Sequence, residues 1–161
     1  MSEAPTPRFG VVSLEEIAGL SGREFLQGWI DGKFPGPPIA EGMSMKLIEV
    51  GDGVAIFEGE PGPHLLNPMG GIHGGWALTL IDSAGGCAAH TLLPADTAYA
   101  TIETKGNFSR PITATTGTVR AEGRVVSQTR QIISTEIRVT NREGKILAHG
   151  TSTLMVIGKR G

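Results

Sequence analysis

Apolar positions set distinct rhythms along the chain. From Gly70 to Leu93 the run GGIHGGWALTLIDSAGGCAAHTLL is small or apolar almost throughout, with Asp82 as its single charge, and it predicts one long helix over 72–92. Downstream, polar and apolar residues alternate in VRAEGRVV and TEIRVT. Strands are predicted over 99–108, 113–126, 130–140 and 145–156, with polar turns at SQTR and NREG. Upstream, 43–60 reads as a hairpin turning at Gly51–Gly53. Before it, Ser13 with Glu16 and Ser21 with Glu24 form two capping-box signatures, which predict two short helices broken near Gly19–Gly22. The second carries Phe25, Trp29 and Ile30 on one stripe. KFPGPPIAEG ends this helical part, because its prolines and glycines can continue neither helix nor strand, and the first dozen residues are expected to be loose. The order is helices, two strands, one long helix and a meander of strands. That order implies an α+β fold in which an antiparallel sheet wraps a central apolar helix.

The long helix raises a chemical question. At about 100° per residue, Ala77, Leu80, Ala84, Cys87 and Thr91 share one side, flanked by Trp76 and Ala88, and make the core face. Asp82 points away from it, among Gly75, Leu78, Thr79, Gly85, Gly86 and Ala89. A solvated face would carry Lys, Glu or Gln, so this helix is expected to be buried all round, its glycine side admitting another backbone closely. An ionised carboxylate there needs a partner or strong hydrogen bonds. No Lys or Arg occurs between Lys46 and Lys105, so distant cations, hydrogen bonds or water must serve. A structural carboxylate and a reactive one both satisfy these facts.

The residues before the helix add a second group. NPMGGIHGG places Asn67, a glycine pair, His73, Gly74 and Gly75 where a helix start leaves N–H groups unsatisfied and its dipole positive. Such a turn can hold a carbonyl oxygen as it becomes an oxyanion, and a carboxylate beside it completes the outline of acyl-group hydrolysis. Gly74 and Asp82 are eight residues apart, about 12 Å along a helix. Both must come within roughly 3 Å of one carbonyl group. One helix cannot do this for one substrate. Two antiparallel helices in a two-fold dimer can, and they produce two equivalent sites.

Composition narrows the classes. The 161 residues suit one domain; a net charge of −2, from 14 Lys plus Arg against 16 Asp plus Glu, predicts neither a nucleic-acid partner nor an anionic membrane. No basic leader and no apolar run of roughly 18 residues is present, and the lone Cys87 can make no internal disulfide, so a cytoplasmic protein is expected.

The spacing N-x2-G-x2-H-G-G-x6-D, formed by Asn67, Gly70, His73, Gly74, Gly75 and Asp82 and followed by NFSRP at 107–111, resembles the hotdog-fold acyl-CoA thioesterases of the PaaI/4-hydroxybenzoyl-CoA type over 42–156. The resemblance implies a hotdog domain over 42–161 behind an amino-terminal helical extension over 1–41. It also implies a homodimer with one joined sheet, and a homotetramer built from two dimers. Asp82 would be the catalytic carboxylate, Gly74 would offer its N–H to the thioester oxygen, Asn67 and His73 would support the carbonyl side, and Thr101 would help place water. One branch uses Glu for the carboxylate and a hydroxyl one turn later, where this chain has Gly86; that branch's substrate and covalent mechanism do not carry over. No cofactor is expected, CoA being part of the substrate.

Other candidates rank lower. His64, His73, His90 and His149 lack close ligand spacing, so no metal is expected. Arg110 and Arg130 are candidates for the CoA phosphates, and Gly75 for substrate contact. Cys87 reads as a buried inert thiol, and Phe25 and Trp29 as packing residues. The resulting expectation is hydrolysis of an acyl-CoA thioester, with Asp82 as base or nucleophile. The rivals are an acyl-CoA binding protein without turnover and an enoyl-CoA hydratase or dehydratase on the same fold.

Overall fold

The computed structural model describes residues 8–158. Its elements are α1 (Gly22–Ile30), α2 (Pro38–Gly42), β1 (Met45–Gly51), β2 (Val54–Gly59), α3 (Gly74–His90), β3 (Ala98–Phe108), β4 (Val119–Gln128), β5 (Ile132–Thr140) and β6 (Ile146–Ile157). The six strands form one antiparallel sheet in the order β1-β2-β4-β5-β6-β3. Alternation does its expected work in β4, where Val119 and Ala121 are fully buried while Arg120 and Arg124 are exposed. α3 lies across the sheet and buries Trp76, Leu80, Ala84 and Ala88 against it. This is the hotdog arrangement, with β1 and β3 at the two edges.

Packing between α3 and the sheet explains its glycines, and not as the sequence suggests. A Cβ on Gly85 would come 2.7 Å from Thr135 Oγ1, and one on Gly86 would come 2.8 Å from the Tyr99 hydroxyl. Gly85 and Gly86 therefore admit side chains from β5 and β3 of the same chain. Nor is α3 buried all round: Gly75, Leu78, Thr79 and Asp82 form a half-buried stripe along it.

Three upstream and loop expectations also change. Ser13 and Glu16 do form their capping box (Ser13 N–H to Glu16 Oε2, 2.9 Å), but the segment is only a succession of turns. Leu14 is 62% exposed, and Gly19 at φ +77° ends the segment, so no buried face supports a helix there. KFPGPPIAEG, expected to hold no helix, starts one: Pro38 occupies the first position of α2, where its missing N–H is no loss. Residues 113–118, expected to be strand, form a turn in which the Thr113 N–H donates to Thr116 Oγ1 (2.9 Å); threonine hydroxyls compete here with a ladder. Residues 1–7 lie outside the described residues. The rest of the stretch expected to be loose is tied down at Arg8–Gly10, since Arg8 Nη2 donates to the carbonyls of Gly32 and Lys33 (3.0 and 3.2 Å) and Gly10 N–H to that of Gly36 (2.9 Å).

The extension is part of the core. α1 keeps its predicted capping box at Ser21 and Glu24, and Leu26 and Ala40 join the same apolar cluster as Trp76 and Leu80. Trp29 and Phe25 pack as expected, Trp29 edge-on to Phe57 (ring centroids 5.8 Å) and Phe25 against Phe34 (5.5 Å).

Candidate active site

The loop before α3 is knotted by Asn67. Its Oδ1 accepts from the N–H groups of Met69 (2.9 Å) and Gly71 (3.2 Å), while its own N–H donates to the Gly71 carbonyl (2.7 Å). This fixes the side-chain oxygen inside the loop and leaves the amide Nδ2 as the group able to meet a ligand. Gly70, at φ +84°, supplies the left-handed residue the knot requires.

His73 is the N-cap of α3, and its Nδ1 accepts from the Gly75 N–H (2.9 Å). An imidazole accepting at Nδ1 carries its proton on Nε2, so the ring presents a donor outward. The same bond consumes the Gly75 N–H, and the His73 ring lies over the bare Cα of Gly75, where a Cβ would come 2.9 Å from Nδ1. The Trp76 N–H returns to the His73 carbonyl (2.9 Å). Gly74, between them, begins the helix with its N–H outside these bonds and the Phe108 ring against its Cα; a Cβ there would lie 3.3 Å from that ring.

Asp82 sits in the middle of α3 and accepts a hydrogen bond from Thr104 Oγ1 (2.9 Å), whose oxygen is 2.8 Å from Ser152 Oγ. Because the Thr104 proton goes to the carboxylate, Ser152 must donate to Thr104, giving a relay Ser152→Thr104→Asp82. Ser152 is 1% exposed. No ion pair among the described residues includes Asp82, so hydroxyls replace the cation the sequence lacks. Its open side faces a depression of about 400 Å³ shared with Gly75, Leu78, Thr101 and Ile102.

Thr104 and Ser152 escaped the sequence reading, which chose Thr101. The reason is a β-bulge in β3: Thr101 pairs with Leu154 but Glu103 with Thr153, leaving Ile102 unpaired. Thr101 and Thr104, three apart, therefore share the face that Ser152 and Leu154 turn to the helix. Period-two alternation would put them on opposite faces. Thr101 does line the depression, but Thr104 is the hydroxyl that reaches Asp82.

Arg110 and Arg130 are not brought together within one chain. Arg110 Nη1 donates to the Ile146 carbonyl (2.6 Å) near the start of α3, where the Ile72 N–H meets the Ile112 carbonyl. Arg130 is exposed in the β4–β5 turn near Ile133, which packs with Ala89 and Leu93 at the far end of α3. The other polar candidates have local explanations. Burial, and secondarily the charge of Asp82, pushes the Cys87 thiol up to about 12, which suits an inert thiol. His64 bonds Ser44 Oγ (3.0 Å), His90 packs between the Phe25 and Tyr99 rings, and no cluster of three or more His, Cys, Asp or Glu able to hold a metal occurs among the described residues. No helix among them is long and apolar enough to cross a membrane.

A long helix wrapped by one antiparallel sheet, with a glycine turn at its start and a carboxylate in its middle, defines a hotdog protein. The family model described as the Thioesterase superfamily matches residues 69–148, and the chain belongs to that superfamily. Similar solved structures include a conserved protein from Pseudomonas aeruginosa (30% identity, covering 74% of this chain and 94% of that one, TM-score 0.70). A variant of the phenylacetic acid degradation protein PaaI from Thermus thermophilus is 28% identical, covering 73% and 97%, with TM-score 0.66. The smu.793 protein of Streptococcus mutans UA159, bound to acetyl CoA, is 26% identical, covering 73% and 91%, with TM-score 0.65. No curated protein matches the sequence.

Proposed function

We propose that the protein hydrolyses an acyl-CoA thioester at a site shared by two copies of the chain, the Gly74 N–H of one and Asp82 of the other. The observation that carries this reading is the open Gly75–Leu78–Thr79–Asp82 stripe of α3, with a hydroxyl-bonded carboxylate in it and a free N–H at its start. α3 is continuous over Gly74–His90, so the two groups are about 12 Å apart on one chain, and a second α3 running antiparallel would bring them together. β3 supports the pairing: it is an edge strand with Ile102 and Phe108 more than half exposed. The same pairing would bring Arg130 of one copy toward the helix start and Arg110 of the other, where both can face CoA phosphates.

In the reaction the Gly74 N–H donates to the thioester oxygen, with Asn67 Nδ2 and the His73 proton at the same end. Asp82, one oxygen held by Thr104, takes a proton from water as the oxygen of that water adds to the thioester carbon. The tetrahedral oxyanion collapses, the C–S bond breaks, and the proton on Asp82 passes to the departing CoA sulfur. The acid and CoA leave. With Thr104 bonded to the carboxylate and Thr101 lining the same depression, aiming a water is favoured over direct attack. Single-turnover hydrolysis in heavy-oxygen water should label only the product acid; label in Asp82 would overturn this route.

Sharing is tested by mixing two inactive variants. Gly74→Pro removes the N–H at a helix position that tolerates proline, and His73 already has the extended backbone (φ −61°, ψ 131°) that precedes one. Gly74→Pro and Asp82→Asn should each lose activity, Gly74→Pro by about 10²–10³-fold. Unfolding and refolding them together should restore it, because a hybrid dimer holds one intact site. Failure to restore activity in hybrid dimers would overturn the shared site.

A further inference from the structure

The amino-terminal extension precedes the matched residues 69–148, yet one of its side chains enters the Asp82 depression. Ile39, the second residue of α2, lines that space together with Leu78 and Ile102. It is 51% exposed, whereas its neighbour Ala40 is 1% exposed, so α2 is anchored through one side and presents Ile39 to the depression with the other.

The anchoring is specific. Trp76 Nε1–H donates to the Met43 carbonyl at the end of α2 (2.8 Å), and Trp76 belongs to the same helix as Asp82. At the other end, Gly36 lies against the Trp29 indole, where a Cβ would come 2.6 Å from Nε1. α2 also partitions two spaces: Ala40 and Glu41 face an apolar cavity of about 670 Å³ under the extension, while Ile39 faces the Asp82 depression. Thus Ile39 is a fixed apolar wall. Its companions Leu78 and the 54% exposed Ile102 give the depression its apolar part, while Thr79, Thr101, Glu103 and Thr104 supply the polar part around Asp82.

Resting on the hydrolytic reading above, we infer that Ile39 is a specificity-determining residue which packs on the apolar portion of the acyl group, and that the preferred substrates are acyl-CoAs with several apolar carbons beyond the carbonyl. Hydrophobic contact of this kind discriminates by chain size, because an acetyl group ends before it reaches the wall. It acts mainly on binding, since the wall touches carbons that do not change in the reaction.

The test measures kcat and KM for acetyl-, butyryl-, hexanoyl- and octanoyl-CoA with the full chain and with Ile39→Ala and Ile39→Trp. Ile39→Ala should lower the ratio of kcat/KM for hexanoyl-CoA to that for acetyl-CoA about tenfold, chiefly through KM. Ile39→Trp, which fills the space, should move the preference to shorter chains. Hydrolysis by the unaltered protein with the same chain-length preference in both variants overturns the role of Ile39 alone. Absence of hydrolysis of any acyl-CoA overturns the hydrolytic reading and this inference together.

Discussion

Asp82 and His90 stand two turns apart on α3 and meet opposite surroundings. His90 lies between the Phe25 and Tyr99 rings (centroids 5.9 and 5.3 Å), and burial pushes its pKa down to about 4. A helix C-terminus favours a protonated imidazole by about 0.3–1 kcal/mol, yet the shift is downward, so desolvation wins there. Asp82 has a hydroxyl donor on one oxygen and an open depression on its other side. A titratable group closed in by rings serves the fold by staying neutral. One given a donor and an open side is equipped to meet a reactant.

The largest expected effect removes the charge on Asp82, the proposed base. Asp82→Asn keeps the shape and the Thr104 contact but cannot take a proton, so thiol release should fall by about 10³-fold with an unchanged circular-dichroism spectrum. Full activity in that variant would erase the contrast between the two groups.

His90 should reveal itself through pH rather than turnover. Its pKa is about 4 in the folded chain against an ordinary histidine value of 6.5, so between these values the unfolded chain binds a proton that the folded chain resists. The His90 contribution is fully present above about pH 6.5 and is lost as pH falls toward 4, by about 3 kcal/mol in total. Urea unfolding at several pH values should show this slope in the native chain and a flatter one in His90→Phe.

Between the two lies Gly86, one turn past Asp82. An added methyl would press on the Tyr99 hydroxyl, so Gly86→Ala should destabilise the fold by about 2 kcal/mol, read as a lower urea midpoint. The smallest effect tests the relay: Thr104→Val keeps the shape but removes the donor to Asp82, and kcat should drop about tenfold. An equal loss in Thr101→Val and none in Thr104→Val would return the role to Thr101, the residue that the family resemblance implies.

The difference between those threonines shows where reading the chain stopped. Glycines and His73 at the start of a long apolar run announce a helix with an exposed N–H turn, because local backbone chemistry decides both. A bulge at Ile102 leaves no such mark: it reflects how β3 fits β6, and it alone turns Thr104 toward the helix. The same holds for Gly85 and Gly86, whose bare Cα atoms are legible but whose neighbours, Thr135 and Tyr99, come from strands far along the chain.

What the sequence by itself determined is everything set by period and local capping: the span of α3, the alternation of β4 and β5, the capping box at Ser21, and Asp82 as a charge without a nearby counter-ion. Tertiary structure alone decided which hydroxyl supports Asp82, which side of α3 stays open, and that Ile39 of α2 lines the same depression. These depend on strand register and on how distant segments pack, and short-range propensities carry no information about either.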